Sequence, residues 1–229
     1  MKHSGKARRA AFKLIFLTFL VGFIVWGLMA FASVVGAILS AIAVPALLVL
    51  WLLFSIFTLY FFRDPTPHVP EGAGLVISPA HGKVDAIDTI TEPLVMGGEC
   101  RRVSIFLSVF DIHVQNAPVT GKITFFKYSL GQFLNALKSE SATHNENVLL
   151  GFESGSPAPS KIGVRLIAGV IARRIVPFVQ QDEDVVRGQR ISLIQFGSRA
   201  DVYLPLTANV KVKLGDHVVG GETIIATLS

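Results

Sequence analysis

Residues 196–205 read FGSRADVYLP. Val202, Tyr203 and Leu204 alternate as a strand does, and Phe196 before them asks for burial as well. Between them stand Gly197, Ser198 and Arg199. Either this is an ordinary turn, or it is a strand that opens on a backbone bond made to be bent and broken. The choice decides how the rest of the chain is read. Glycine removes the Cβ that would block a nucleophile and admits strained backbone angles. The Ser198 hydroxyl can then attack the Gly197 carbonyl, turning the amide into an ester. Elimination across the serine Cα–Cβ bond releases the upstream chain as a carboxylate. The dehydroalanine left behind hydrolyses to a pyruvoyl group and ammonia. Such chemistry needs a base for the hydroxyl, a strained bond and donors for the oxyanion. Gly-Ser taken alone is better read as an ordinary turn.

The chain upstream is built for two environments. Its 229 residues are 51% hydrophobic and 16% charged, against roughly 25% charged in an average soluble domain. The imbalance is concentrated: no charged side chain occurs from Leu14 to Phe62. About 20 apolar residues already cross a bilayer, and a single helix over the whole stretch would far exceed the hydrocarbon thickness. Ser33 and Gly36, with Ala32 and Ala37 beside them, mark a tight turn between two spans, about 12–32 and 37–61. Lys2, Lys6, Arg8, Arg9 and Lys13 precede the first span with no acid among them. The positive-inside rule puts that end in the cytoplasm, and two spans return the chain there at Arg63. A cleaved signal peptide is disfavoured by the length of the apolar region. Cys100 is the one cysteine, so there is no disulfide framework. The net charge of +5 suits a protein beside anionic lipid. No aromatic-basic motif for nucleic acid accompanies it.

After residues 1–62, the membrane anchor, RDPTPHVPEGAG (63–74) is a linker by its prolines and glycines. Residues 75–229 read mostly as short strands. Leu130 to Glu140 reads as a short helix, SGSPAPS (154–160) as a loop, and KIGVRLIAGVIARRIVPFV (161–179) as strand. Two weak internal repeats appear: SPAHGKVDAI resembles APVTGKITFF, and VVRGQRISLI resembles VVGGETIIAT. In each, glycine permits a tight turn between strands. The expected architecture is two N-terminal transmembrane helices followed by a β-rich, mostly antiparallel, sandwich- or barrel-like α+β domain.

Five segments occur in order: FFRDP after the membrane stretch, FLSVFDIHVQNAPVTGKI in mid-chain, NEN at Asn145–Asn147, IAGVIARRIV, and FGSRADVYLP. Together they resemble the short, membrane-anchored phosphatidylserine decarboxylases of bacteria, over nearly the whole chain from about Phe61 to Ala226. The resemblance implies a proenzyme that cuts itself between Gly197 and Ser198, giving a large chain, 1–197, and a small chain, 198–229. Ser198 would become the pyruvoyl group and form a Schiff base with the substrate amine. Its carbonyl would accept the electron pair as CO2 leaves phosphatidylserine, yielding phosphatidylethanolamine. Neither a metal nor pyridoxal phosphate is implied. The implied partners are a membrane phospholipid and the proenzyme's own two chains, with a homo-oligomer left open. The inner membrane is the implied location.

The same resemblance ranks the candidate side chains. His113 lies in FDIHV, where alternation along a strand puts it on one face with Asp111. The family links this histidine to decarboxylation, as proton donor. Larger relatives carry a second histidine three residues on, where this chain has Asn116. His81 stands in SPAHG where the family reads S-P-A-D-G. It is the candidate base for self-cleavage, able to accept a proton near neutral pH; lacking a fixed negative charge, it otherwise alters maturation or stands by as a spectator. Arg173 and Arg174 should alternate across a strand, one holding a carboxylate or phosphate. His144, beside NEN, is a candidate for the substrate loop. A different class remains: SPAHGKV and VKLGDHVVGGETIIATL look like pieces of biotinyl- or lipoyl-type barrels, as in carriers or membrane-anchored adaptors. A carrier needs a lysine on a hairpin tip, for which Lys83 is a poor match. An adaptor needs heptads, which are absent.

Overall fold

The computed structural model describes residues 5–30, 34–131, 145–169, 174–195 and 198–228. The chain forms two compact units, Gly5–Asp64 and the residues from Pro65 onward.

The first unit is a helical hairpin, α1 (Lys6–Ala30) and α2 (Val34–Phe61). Both helices are long and apolar enough to cross a membrane. With 25 and 28 residues they rise about 37 and 42 Å at 1.5 Å per residue. Helix α1 starts before the expected residue 12, because Lys6, Ala7, Arg8 and Arg9 are good helix formers and extend it. The Trp51 indole donates to Thr18 Oγ1 at 3.2 Å, and its ring packs on Phe19.

The second unit contains fourteen strands among the described residues: β1 (Leu75–Ile77), β2 (Gly82–Glu92), β3 (Gly98–Leu107), β4 (Val114–Asn116), β5 (Gly121–Ser129), β6 (Asn147–Ser154), β7 (Ser160–Ala168), β8 (Ile175–Pro177), β9 (Asp184–Val185), β10 (Arg190–Ile194), β11 (Ser198–Leu204), β12 (Asn209–Val210), β13 (His217–Val218) and β14 (Ile224–Thr227). An eight-stranded sheet has the order β13-β2-β3-β11-β7-β6-β5-β9. Two three-stranded sheets, β1-β14-β12 and β4-β10-β8, accompany it. All the pairings are antiparallel.

The strand orders reveal a duplication. Read inward from its two edges, the large sheet runs β13-β2-β3-β11 and β9-β5-β6-β7, and each small sheet belongs to one half. One half is β1–β3 with β11–β14; the other is β4–β10. The hydrogen bonds repeat accordingly. Ile77 N donates to Pro118 O at 3.0 Å and Asn116 N to Pro79 O at 2.8 Å. Val84 N donates to Asp216 O at 2.8 Å and Ile123 N to Glu183 O at 2.9 Å. The register shifts once between Val84 and Ala86, and once between Ile123 and Phe125. The sequence repeats are the trace of this. In both copies the Gly-Lys step begins a long strand pressed on its neighbour. A Cβ on Gly82 would lie 2.2 Å from Phe106 O, and one on Gly121 2.1 Å from Glu153 O. Only glycine permits that approach.

One core fills the space enclosed by the sheets. Val103, Ile105 and Leu107 of β3, Val164, Leu166 and Ala168 of β7, and Ala200, Val202 and Leu204 of β11 all point into it. Each fully buried aliphatic side chain stabilises by about 1.5–3 kcal/mol. Flanked by β3 and β7, strand β11 is buried at every position.

One expectation needs correction. IAGVIARRIV is not one strand: β7 ends at Ala168, and β8 begins at Ile175 in a different sheet. Apolar alternation continues across that gap in sequence, but the ladder partners change. The helix expected over Leu130–Glu140 lies, from residue 132, outside the described residues; those described after Asp64 form strands and turns.

Candidate active site

Register decides which segments meet. Ser198 opens β11 opposite Leu107 of β3 and Ala168 of β7. Strand β2 begins beside the end of β3, where Lys83 faces Phe106. Strand β6 begins at Asn147, facing Ile167. The starts of β2, β11 and β6 and the ends of β3 and β7 therefore form one rim, which gathers segments spread from His81 to Ser198.

Ser198 is fully buried. Its hydroxyl oxygen is enclosed and has no hydrogen-bond partner among the described residues. Leaving such a group unsatisfied costs about 1–3 kcal/mol; Ser104 Oγ and Gln115 Oε1 are in the same state, and Ser198 differs from them in following a glycine. Gly197 lies outside the described residues.

His113 is fully buried, but not on a strand as alternation suggests. Residues 108–113 form a turn. The Asp111 carboxylate accepts from Ser108 N at 2.8 Å and from Ser108 Oγ at 2.7 Å, while Asp111 N donates to Ser108 O at 3.0 Å. A carboxylate that bonds nearby backbone in this way offers the chain a turn in place of a ladder. The turn fixes the imidazole: His113 Nδ1 lies 2.9 Å from Asp111 O. A carbonyl only accepts, so Nδ1 carries a proton and Nε2 is the nitrogen left to take up or give one. Ile194 N donates to His113 O at 3.1 Å. His113 is thus held at the end of β10, four residues before Ser198.

His81 is half-buried, immediately before β2. Gly220 borders it, since a Cβ there would lie 2.9 Å from His81 Cδ2. Ser78 Oγ donates to Ala80 O at 2.6 Å and braces this turn. Asn116, by contrast, is a structural residue: its amide donates to Gly188 O at 2.8 Å.

The NEN segment is a buried clasp rather than a polar loop. Ala168 N donates to Glu146 O at 2.9 Å, and Asn145 Nδ2 donates to Ala168 O at 2.7 Å. Glu146 Oε1 accepts from Ile175 N at 2.9 Å and from the Tyr128 hydroxyl. Burial, and then the hydrogen bond to Glu146, pushes the Tyr128 phenol up to about 12. The clasp ties the ends of β5, β7 and β8 together next to the residue opposite Ser198. Arg174 is exposed just before β8. Arg173 and His144 lie outside the described residues.

Sequence reading missed what lies on the other face of β11. Arg199 Nε donates to Asp201 Oδ1 at 3.0 Å and Nη1 to Asp85 Oδ2 at 2.8 Å. Arg102 chelates Asp88 at 2.9 and 2.6 Å and approaches Asp201 at 3.9 Å. Asp201 is fully buried. Burial pushes the Asp85 carboxyl above its ordinary value, with Arg199 pulling it down and Asp201 pushing it up. An acid two residues from an arginine on the same strand was the available signal. Asp85 joins only because the strands pair.

Lys83 lies within β2, paired across to His217 of β13, not on the hairpin tip a carrier lysine needs.

Comparison with known proteins finds relatives over most of the chain. The family model for phosphatidylserine decarboxylase matches residues 54–226. A phosphatidylserine decarboxylase proenzyme of Desulfotalea psychrophila is 40% identical over 200 residues, 86% of this chain and 92% of that one. The proenzyme of Symbiobacterium thermophilum is 42% identical over 200 residues, covering 85% and 92%. That of Chlorobium chlorochromatii is 40% identical over 190 residues, covering 81% and 88%.

Proposed function

The chain belongs to the phosphatidylserine decarboxylase family, and from that premise we propose that it cleaves itself between Gly197 and Ser198 and then decarboxylates phosphatidylserine to phosphatidylethanolamine. The observation that carries this reading is the buried Ser198 hydroxyl, without a hydrogen-bond partner among the described residues, at the head of the central strand. An oxygen already stripped of solvent and of hydrogen bonds is a better nucleophile toward the adjacent carbonyl. A base takes its proton as it attacks Gly197. The ester then opens by elimination, leaving residues 1–197 as one chain and 198–229 as the other.

An enclosed, unsatisfied oxygen at residue 198 also fits the carbonyl that would replace it. A pyruvoyl group there supplies an electron sink for the pair left when CO2 departs. The protein's own side chains do the rest. His81 serves as the base for self-cleavage. His113, its Nδ1 fixed on Asp111 O, returns a proton from Nε2 to the carbon that lost its carboxylate. Arg174, exposed at the rim, holds the substrate's carboxylate or phosphate, together with Arg173 and His144. The helices α1 and α2 anchor the enzyme in the inner membrane, and the basic N-terminus supports a cytoplasmic catalytic domain.

A carrier or adaptor would remain one chain, so intact mass tests the reading. Wild-type protein is expected as two chains, the smaller blocked to Edman degradation. Ser198→Ala is expected as a single inactive chain. Active wild-type protein of full length overturns the proposal.

A further inference from the structure

The two halves of the domain each present one exposed turn of matching geometry, and the two turns differ in chemistry. In the half that carries Ser198 the turn is Lys211-Val212-Lys213-Leu214-Gly215-Asp216; its counterpart is Phe178-Val179-Gln180-Gln181-Asp182-Glu183. The equivalence rests on hydrogen bonds. Gly215 N donates to Val84 O at 2.8 Å, and Asp182 N to Ile123 O at 2.8 Å. Lys213 N donates to Asp216 Oδ2 at 2.8 Å, and Gln180 N to Glu183 Oε2 at 3.3 Å.

At the tip, polar Gln181 corresponds to Leu214, which is 68% exposed. The counterpart turn is acidic, through Asp182, Glu183 and Asp184; the turn nearer the site is basic, through Lys211 and Lys213. Lys122, at the start of β5, is paired with Asp182 at 3.1 Å. Its equivalent Lys83, at the start of β2, lies over Gly215. The nearby acids are engaged: Asp216 on Lys213 N, and Asp111 on Ser108 and on His217 Nε2 at 3.1 Å. That last contact joins the turn to the loop that holds His113. The same loop bears Phe110, 64% exposed. Exposed Leu214 and Phe110 thus stand among Lys83, Lys211 and Lys213 beside the candidate site, whereas near the matching turn the exposed apolar residue described is Val186, beside acids and a lysine already paired with Asp182.

We propose that this surface docks on an anionic phospholipid bilayer, with Leu214 and Phe110 entering the interface and the three lysines facing lipid phosphates and carboxylates. Apolar side chains ringed by lysine are the composition that enters a charged interface, and lysine near an anionic leaflet adds attraction that salt screens. The mirror-placed acidic turn would be repelled, so the charge difference orients the domain. Docking brings the rim to the plane where a phospholipid headgroup lies. That consequence rests on the proposed substrate; the docking itself does not.

The test uses the full chain in vesicles. An environment-sensitive fluorophore is placed at Leu214→Cys, at Phe110→Cys and, as the matched control, at Gln181→Cys. Cys100 is fully buried and does not compete for label. With anionic vesicles, emission at positions 214 and 110 should move to shorter wavelength and be quenched by spin-labelled lipid, while position 181 remains aqueous. Equal, aqueous emission at 214 and 181 overturns the proposal. So does a shift in detergent without lipid that grows with protein concentration, which reports a second copy of this chain. Lys211→Glu with Lys213→Glu should raise KM for vesicle-borne phosphatidylserine about tenfold and leave KM for a dispersed short-chain substrate unchanged. If wild type turns over neither substrate, the functional reading fails while the fluorescence still decides the docking.

Discussion

The two halves of the domain share a backbone plan and differ in what they do with it. At the turn of one half stands Gly220, against the ring of His81. At the same turn of the other half stands Arg187, whose backbone N–H donates to Thr120 Oγ1 at 3.0 Å. Its guanidinium donates to Gly72 O at 2.9 Å, Leu75 O at 3.2 Å and Pro70 O at 2.6 Å. In the second half an arginine fills the notch and pins the linker; in the first the notch is left to a histidine. The sheet faces differ in the same sense. Arg102 opposite Asp88 corresponds to Leu149 opposite Lys127, and Leu149 packs with Val95, Cys100 and Tyr203. One half is braced by Arg187 on the linker, while the other carries the Arg199–Asp201–Asp85 cluster and the buried Ser198 hydroxyl. A duplicated frame lets one copy supply rigidity while the other bears the cost of a reactive site.

The largest effect expected from breaking this asymmetry is catalytic. His113→Ala should yield two-chain protein whose kcat is about 10²–10⁴ lower. His81→Ala should accumulate uncleaved chain, whereas Thr120→Ala, at the matching position, should cleave as wild type does. Denaturing gels over time decide this. Normal cleavage in His81→Ala would move the search for the base to His113 or His144.

A smaller effect concerns the charged face. Asp201→Ala removes the fully buried one of the two carboxylates bonded to Arg199, leaving Asp85, and should cost about 1.5–3 kcal/mol. Giving this half the apolar character of the other, through Arg199→Met with Asp201→Leu, should recover most of that loss. Denaturant midpoints in detergent provide the measurement. A double variant no better than Asp201→Ala would mean that the ion cluster itself is required.

The smallest effect is a slope against pH. Burial raises the Asp85 carboxyl above 3.8, so the folded chain holds this proton more tightly than the unfolded chain. Its contribution to stability is then fully present below the unfolded value and lost as pH rises through the folded one. Asp85→Asn removes the dependence. The variant should gain on wild type as pH rises from 3.8 through the raised value, in unfolding followed at several pH values. Parallel curves would place Asp85 in an environment as polar as water.

Much of this was legible in the chain itself. The uncharged run from Leu14 to Phe62, broken by small residues, determines two membrane-length helices, because length and apolarity are local properties. Gly-Lys steps and Gly turns repeated in sequence announce a duplicated strand pattern. Gly197-Ser198 in its apolar setting marks the candidate bond. Tertiary structure alone decided the rest. The Asp111–Ser108 bonds turn FDIHV out of a strand, and the change of ladder partner splits IAGVIARRIV between two sheets. NEN became a clasp only when Glu146 met Ile175, and Asp85 met Arg199 only through the pairing of β2, β3 and β11. Alternation tells a residue which face it is on; it does not say which strand lies beside it, because that choice depends on how distant segments share one core.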